Sequence, residues 1–204
     1  GEVLALLGEN GAGKSTVMKI LYGLYKADEG QIFMDGKEQK IGSPKDAMAL
    51  GISMIQQHFS LVPAHTVTEN IILGNCKGRV NIKAKEKEIE ALAKQYGFDI
   101  PVDAKIADLA VGVQQKVEIL KALYLKTSLL IMDEPTAALT DSEIDTLFDI
   151  VRRLKNDGVA IIYISHRMSD LDAIVDRVTV LRDGKLISEH EYDSSIKDQL
   201  IQEM

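Results

Sequence analysis

Residues 8–16 read Gly8-Glu9-Asn10-Gly11-Ala12-Gly13-Lys14-Ser15-Thr16. The spacing Gly8-x4-Gly13-Lys14-Ser15 is that of a phosphate-cradling P-loop, a strand-to-helix turn whose backbone N–H groups converge on phosphate oxygens. The flanks agree. Val3-Leu4-Ala5-Leu6-Leu7 is an unbroken apolar run, as a buried parallel strand requires. Residues 15–24 carry Val17, Ile20, Leu21 and Leu24 at i, i+3, i+4 and i+7, which predicts a helix with one apolar face. In that setting Lys14 reaches β- and γ-phosphates and the Ser15 hydroxyl is a ligand for Mg²⁺. Chance alone would put this pattern in about one random chain of this length in a hundred.

The 204 residues suffice for one sizeable core, or one core with a small subdomain. Hydrophobic content of 46% and charged content of 27% are those of an ordinary globular domain. A net charge of −7 argues against nucleic acid as the main partner. Cys76 is the single cysteine, so no internal disulfide can form and a reducing cytoplasm is expected. No apolar run approaches the roughly 18 residues needed to span a bilayer, so any work at a membrane needs another chain to do the spanning. Gly1-Glu2-Val3 enters a core strand directly, which predicts a domain belonging to something longer.

Outward from the P-loop, residues 31–34 form a short strand turned by Asp35-Gly36. Ser43-Pro44 opens a short helix ending near Gly51, and residues 52–55 make an apolar strand. Thr66-Val67-Thr68-Glu69 is a capping box. Residues 82–96 form a charged helix with Ile89, Leu92, Ala93 and Tyr96 on one face, and residues 112–126 another. Strands are predicted at 129–132, 159–164 and 177–181, with helices at 140–157 and 168–175, and a hairpin at Asp183-Gly184 before a closing helix. This is an α/β fold, a P-loop NTPase with a mostly parallel sheet flanked by helices. The expected core is about residues 1–60 and 127–204, with a helical subdomain inserted at about 61–126.

Two strand ends carry further chemistry. Leu129-Leu130-Ile131-Met132-Asp133-Glu134 ends in two carboxylates, at the edge where ligands sit in parallel sheets. Asp133 is placed to hold a Mg²⁺ sphere and Glu134 to polarise an attacking water. Residues 159–166 end in His166 on the same edge. A lone histidine is more often structural or simply exposed, so this placement leaves both readings open. His58, His65 and His190 have no such placement.

Residues 8–16, Gln57 after a strand, Leu109-Ala110-Val111-Gly112-Val113-Gln114-Gln115, residues 129–135 and Ser165-His166 follow one another in an order that resembles the ATPase cassettes of ABC transporters. The stretches Gln56-Gln57-His58-Phe59-Ser60-Leu61-Val62-Pro63, 117–123 and 133–140 resemble the cassettes of bacterial importers for simple sugars or nucleosides. The resemblance implies ATP and Mg²⁺ as cofactors, with Ser15, Gln57 and Asp133 around the metal. It implies Glu134 as catalytic residue, His166 as switch histidine, and Gln57 as the link from Mg²⁺ to a membrane subunit. Residues 109–113 would be the signature that closes on ATP held by a second cassette. Partners would be that cassette and integral membrane permease subunits, with no nucleic acid, at the cytoplasmic side of the membrane.

The signature departs from the usual Leu-Ser-Gly-Gly-Gln, and Ala110 removes the hydroxyl that meets the γ-phosphate. The family's adenine-stacking aromatic precedes the P-loop strand, so the N-terminal part of the family domain is expected to lie outside this chain. Segment 57–63 holds Phe59, Leu61, Val62 and Pro63, read as a docking surface for the membrane partner, against the alternative that they pack under the helices. The leading reading is an ATP-hydrolysing motor cassette of an importer. The alternatives are a degenerate cassette that binds ATP but hydrolyses weakly, and a soluble protein of the same family acting on nucleic acid.

Overall fold

The computed structural model describes residues 1–57, 59–76 and 79–204; His58, Lys77 and Gly78, within the predicted loops, lie outside the described residues. Six strands form the main sheet: β1 (Val3–Leu7), β4 (Ile52–Ile55), β5 (Leu129–Asp133), β6 (Ala160–Ile164), β7 (Arg177–Arg182) and β8 (Lys185–Glu191). Their order is β4-β5-β6-β1-β7-β8, parallel throughout except for β8, which returns antiparallel along β7. β2 (Ile32–Met34) and β3 (Lys37–Gln39) form a separate hairpin. Its turn residues Asp35 and Gly36 both have positive φ, 49° and 72°, the geometry a two-residue hairpin needs.

Helices cover both faces: α1 (Lys14–Leu21), α2 (Pro44–Ala49), α3 (Val67–Ile72), α4 (Ile82–Gln95), α5 (Val111–Tyr124), α6 (Asp141–Asn156), α7 (Met168–Ile174) and α8 (Lys197–Glu203). Successive strand residues face opposite sides, so a doubly covered strand is apolar at every position. In β5, Leu130 and Met132 join a core shared with α3 to α6, whereas Ile131 joins Met18 and Ala47 on the other face. The core under α3, α4 and α5 is continuous with this sheet face through Val3, Ile55 and Tyr163.

Helix α1 departs from the expected face. Met18 is 5% exposed, while Val17 is 46% and Leu24 42% exposed. The rotation of α1 is set by the loop that feeds it. Lys14, its first residue, is drawn inward to the loop carbonyls, so the positions at i and i+4, Lys14 and Met18, face in and Val17 turns out. Helix α6 follows its pattern, with Ile144, Leu147, Phe148, Val151 and Leu154 all buried.

Capping boxes close the N-termini of α3 and α6. At α3 the Thr66 hydroxyl accepts from Glu69 N at 3.1 Å, and the Glu69 carboxylate accepts from Thr66 N at 2.8 Å. Thr66→Ala removes the first of these, so the protein should lose about 1 kcal/mol and melt about 2–4 °C lower, as differential scanning calorimetry will show.

Candidate functional site

The parallel register decides where the site lies. Leu6 pairs with Ile164, and Ile164 with Asp133, while Ile55 pairs with Met132 one step earlier. Four strands therefore end in one row, and the chain leaving each of them emerges at the same edge: Gly8 after β1, Gln57 after β4, Glu134 after β5 and His166 after β6. They line one cleft of about 880 Å³. Every residue from 8 to 16 except the buried Ala12 lines it, together with Gln57, Asp133, Glu134 and His166.

The loop geometry requires its glycines. Gly13, at φ 99°, caps α1 in the left-handed region. A Cβ on Gly8 would stand 2.2 Å from the Leu181 carbonyl oxygen. Lys14 crosses beneath the loop and its Nζ donates to the carbonyls of Gly8 at 2.7 Å and Glu9 at 3.0 Å. Ser15 Oγ lies 3.5 Å from Asp133 Oδ1. A hydroxyl, a carboxylate and the Gln57 amide on one cleft form a sparse set of hard oxygen donors, which fits Mg²⁺ held mainly by phosphates and water. Burial pushes the Asp133 carboxyl above its ordinary range; Ser15 opposes this and the neighbouring Glu134 charge adds to it.

Glu134 sits at φ 48°, a left-handed conformation that costs a non-glycine residue about 1 kcal/mol. Its N–H donates to Ile164 O at 3.0 Å, which ties it to the end of β6. That tie brings Glu134 Oε1 to 3.2 Å from His166 Nδ1. The His166 ring is 61% exposed and the Glu134 side chain 20%, so the pair faces the cleft with the carboxylate on the inner side.

Residues 109–113 do not line this cleft. They form the start of α5, where Ala110 is the N-cap and its carbonyl accepts from Val113 N and Gln114 N, both at 3.0 Å. No side-chain oxygen caps the helix there. Within residues 59–63, two of the four apolar side chains pack inward. Leu61 is 9% exposed, Phe59 packs against the main core, and Asn70 clamps Val62 by accepting from its N–H at 2.7 Å and donating to its carbonyl at 3.1 Å. Val62 is half-buried and Pro63 exposed.

Residues to which the sequence assigned no role also hold the site. Gln115, buried in α5, donates to the Pro135 carbonyl at 2.7 Å, directly after Glu134. Asp170 in α7 is 1% exposed and accepts from Thr136, Tyr163 and Ser165 hydroxyls. An aspartate in a first helical turn ordinarily reads as an exposed dipole partner, so the only signal was the hydroxyl residues scattered nearby. Met204, directly after α8, also lines the cleft.

The chain matches the family profile described as ABC transporter over residues 1–137. It is 48% identical to a glucose import ATP-binding protein of Haloferax volcanii, over 91% of this chain and 39% of that protein. It is 49% identical to a nucleoside import ATP-binding protein of Lactococcus lactis, over 100% of this chain and 41% of that protein. The chain thus spans about two fifths of the length of the curated relatives it matches. Among solved structures it is similar to the ADP conformation of an ATP-binding cassette of an ABC transporter, with a TM-score of 0.83 and 26% identity over 98% of this chain and 84% of that one.

Glu118 in α5 accepts from Ser60 N at 2.8 Å, and burial pushes its carboxyl above the ordinary value of 4.5, opposed by Lys121 and by that N–H. A raised acid destabilises the fold as pH climbs from its unfolded pKa through its folded one, because the charged form stays desolvated. Glu118→Gln keeps an oxygen for Ser60 and removes the charge. It should melt above the parent protein at about pH 8, with the gap shrinking as pH falls to about 4.5, in paired thermal melts across that range.

Proposed function

This chain belongs to the ABC transporter family, and on that premise we propose that it is the ATP-hydrolysing motor cassette of an importer for simple sugars or nucleosides. The observation that carries the reading is the convergence of Lys14, Ser15, Asp133, Glu134 and His166 on one cleft, with Glu134 held in a costly backbone conformation beside His166. The relatives' printed names, all import ATP-binding proteins, support the substrate class.

In this reading the N–H groups of residues 8–16 and the first turn of α1 cradle the β- and γ-phosphates. Lys14 exchanges its two neutral carbonyl partners for phosphate oxygens, a stronger charge-assisted bond. Ser15, Asp133 and Gln57 would hold Mg²⁺, which supplies neutralising charge to the phosphate oxygens. Glu134 takes the proton of the attacking water, and His166 steadies the carboxylate from 3.2 Å while facing the γ-phosphate.

The rest of the assembly is part of the same proposal. Core residues of about 1–60 and 127–204 and helical residues of about 61–126 act as one ATPase domain. Residues 109–113 meet ATP held by a second cassette, permease subunits do the membrane spanning, and the domain sits peripherally at the cytoplasmic face. Among the described residues no helix is long and apolar enough to cross a membrane. Relatives more than twice as long as this chain support a tandem arrangement of two cassettes.

In the complete protein, Lys14→Ala should weaken ATP binding at least about tenfold, since a charge-assisted contact is worth about 1.5–3 kcal/mol. Glu134→Gln should keep that affinity and lose about a hundredfold or more in turnover, because an amide is no base. Calorimetry and phosphate release measure the two; near-normal turnover of Glu134→Gln would remove it from the role assigned to it.

Ala110 favours the second reading, a cassette that binds ATP and hydrolyses it weakly. The N-cap of α5 has no hydroxyl to offer either the helix or a phosphate. Ala110→Ser restores both. It should raise the melting temperature through an N-cap worth about 1 kcal/mol, and raise turnover of the assembled protein by up to about tenfold. A gain in stability with no gain in turnover would assign the serine a capping role only.

A further inference from the structure

Asp170 lies in the first turn of α7 and is 1% exposed, yet a single one of its oxygens is the meeting point of three elements. Oδ2 accepts from Thr136 Oγ1 at 2.9 Å, Ser165 Oγ at 3.0 Å and Tyr163 OH at 3.1 Å. On Oδ1 the Ser169 hydroxyl stands at 3.4 Å and Arg167 Nε at 3.7 Å. A buried carboxylate needs such partners, and these donors are not placed at random. Thr136 is two residues beyond Glu134, and Ser165 is the residue before His166. Ser165 Oγ in turn accepts from Arg167 N at 3.0 Å, on the far side of His166.

We propose that Asp170 is the positioning residue that holds Glu134 and His166 at their 3.2 Å separation, by clamping the two turns that carry them. The proposal rests on the reading of the cleft as a site of ATP hydrolysis. Among the described residues, Glu134 and His166 make no side-chain hydrogen bond except to each other. Their orientation is therefore inherited from the backbone of residues 133–136 and 165–167. The first of these turns contains the left-handed Glu134, a conformation that persists only where the surroundings over-determine it. Asp170 supplies one such anchor through Thr136, and Gln115 a second by donating to Pro135 O at 2.7 Å. Because Gln115 belongs to the helix that opens at residues 109–113, the network also joins the signature segment to the Glu134 turn.

The prediction is a loss of rate without a loss of binding. Asp170→Asn keeps the shape, weakens the three charge-assisted bonds and gives up the approach to Arg167. In the complete protein it should lower kcat about ten- to a hundredfold while the KM for ATP and the nucleotide Kd stay within about twofold, since a misplacement near 1 Å is enough for that loss. Thr136→Val deletes one clamping hydroxyl at constant shape and should lower kcat about tenfold, and Thr136→Ser should restore it. If Asp170→Asn does not fold, the Thr136 pair decides. Normal kcat in a folded Asp170→Asn or in Thr136→Val overturns the proposal, as does a KM that rises in step with any loss. A second readout is independent of turnover: the His166 ring resonances should shift or broaden in Asp170→Asn, and identical spectra count against it. Should the parent protein itself hydrolyse no ATP, the functional reading fails while these spectra still judge the clamp.

Discussion

Leu6, Ile164 and Asp133 stand opposite one another on three adjacent parallel strands, and this one register constrains everything beyond it. A parallel sheet covered on both faces has no polar surface to spare, so polar chemistry is confined to the edge where its strands end. Slipping a strand by one residue would turn its side chains to the other face, exchanging Ile131 for Leu130 and Met132 between two differently shaped cores. The packing of the core thus enforces the register, and the register puts the P-loop, Asp133, Glu134 and His166 within reach of a common ligand. The arrangement of the cleft is in this sense a by-product of hydrophobic packing several residues away.

What could be read in the sequence follows from which interactions are local. The strand runs, the Asp35-Gly36 and Asp183-Gly184 hairpins, the Ser43-Pro44 helix start and the Thr66–Glu69 capping box depend on residues within four positions of one another, and all of them occur. The rotation of α1 was not legible, because it is imposed by the contact of Lys14 with the loop rather than by the apolar spacing. The inward packing of Phe59 and Leu61 was not legible either, because the contacts that hold this segment come from the distant Asn70 and the core. Of the candidate site, the residues at strand ends were visible as motifs. Asp170 was not, nor were the contacts of Thr136 and Gln115, since polar groups paired across 20 to 34 positions leave no pattern in one sequence.

The site also has a division of labour along the chain. Residues 8–16, 133–134 and 166 come together within one chain, whereas residues 109–113 stand elsewhere, at the free end of α5. The N-terminus of α5 does not line the cleft that holds the P-loop. In the proposed cassette pair, a second copy would bring its own residues 109–113 to this cleft. On that proposal, a defect at Ala110 would be felt at the partner's nucleotide and not at the nucleotide held by Lys14.

That separation gives the buried polar chain through Gln115, Pro135, Thr136 and Asp170 a physical consequence. A force on the start of α5 reaches the Glu134 turn through one hydrogen bond of 2.7 Å to Pro135, and the turn is itself tied to the His166 strand by Glu134 N and by Asp170. Buried hydrogen bonds of this kind have no water to replace them, so they move together or break at a cost of about 1–3 kcal/mol each. A turn already holding about 1 kcal/mol of backbone strain at Glu134 is the element that such a displacement would bias most easily. On the proposed cassette pairing, contact of α5 with a partner's nucleotide would be linked to the Glu134 turn through these packed atoms.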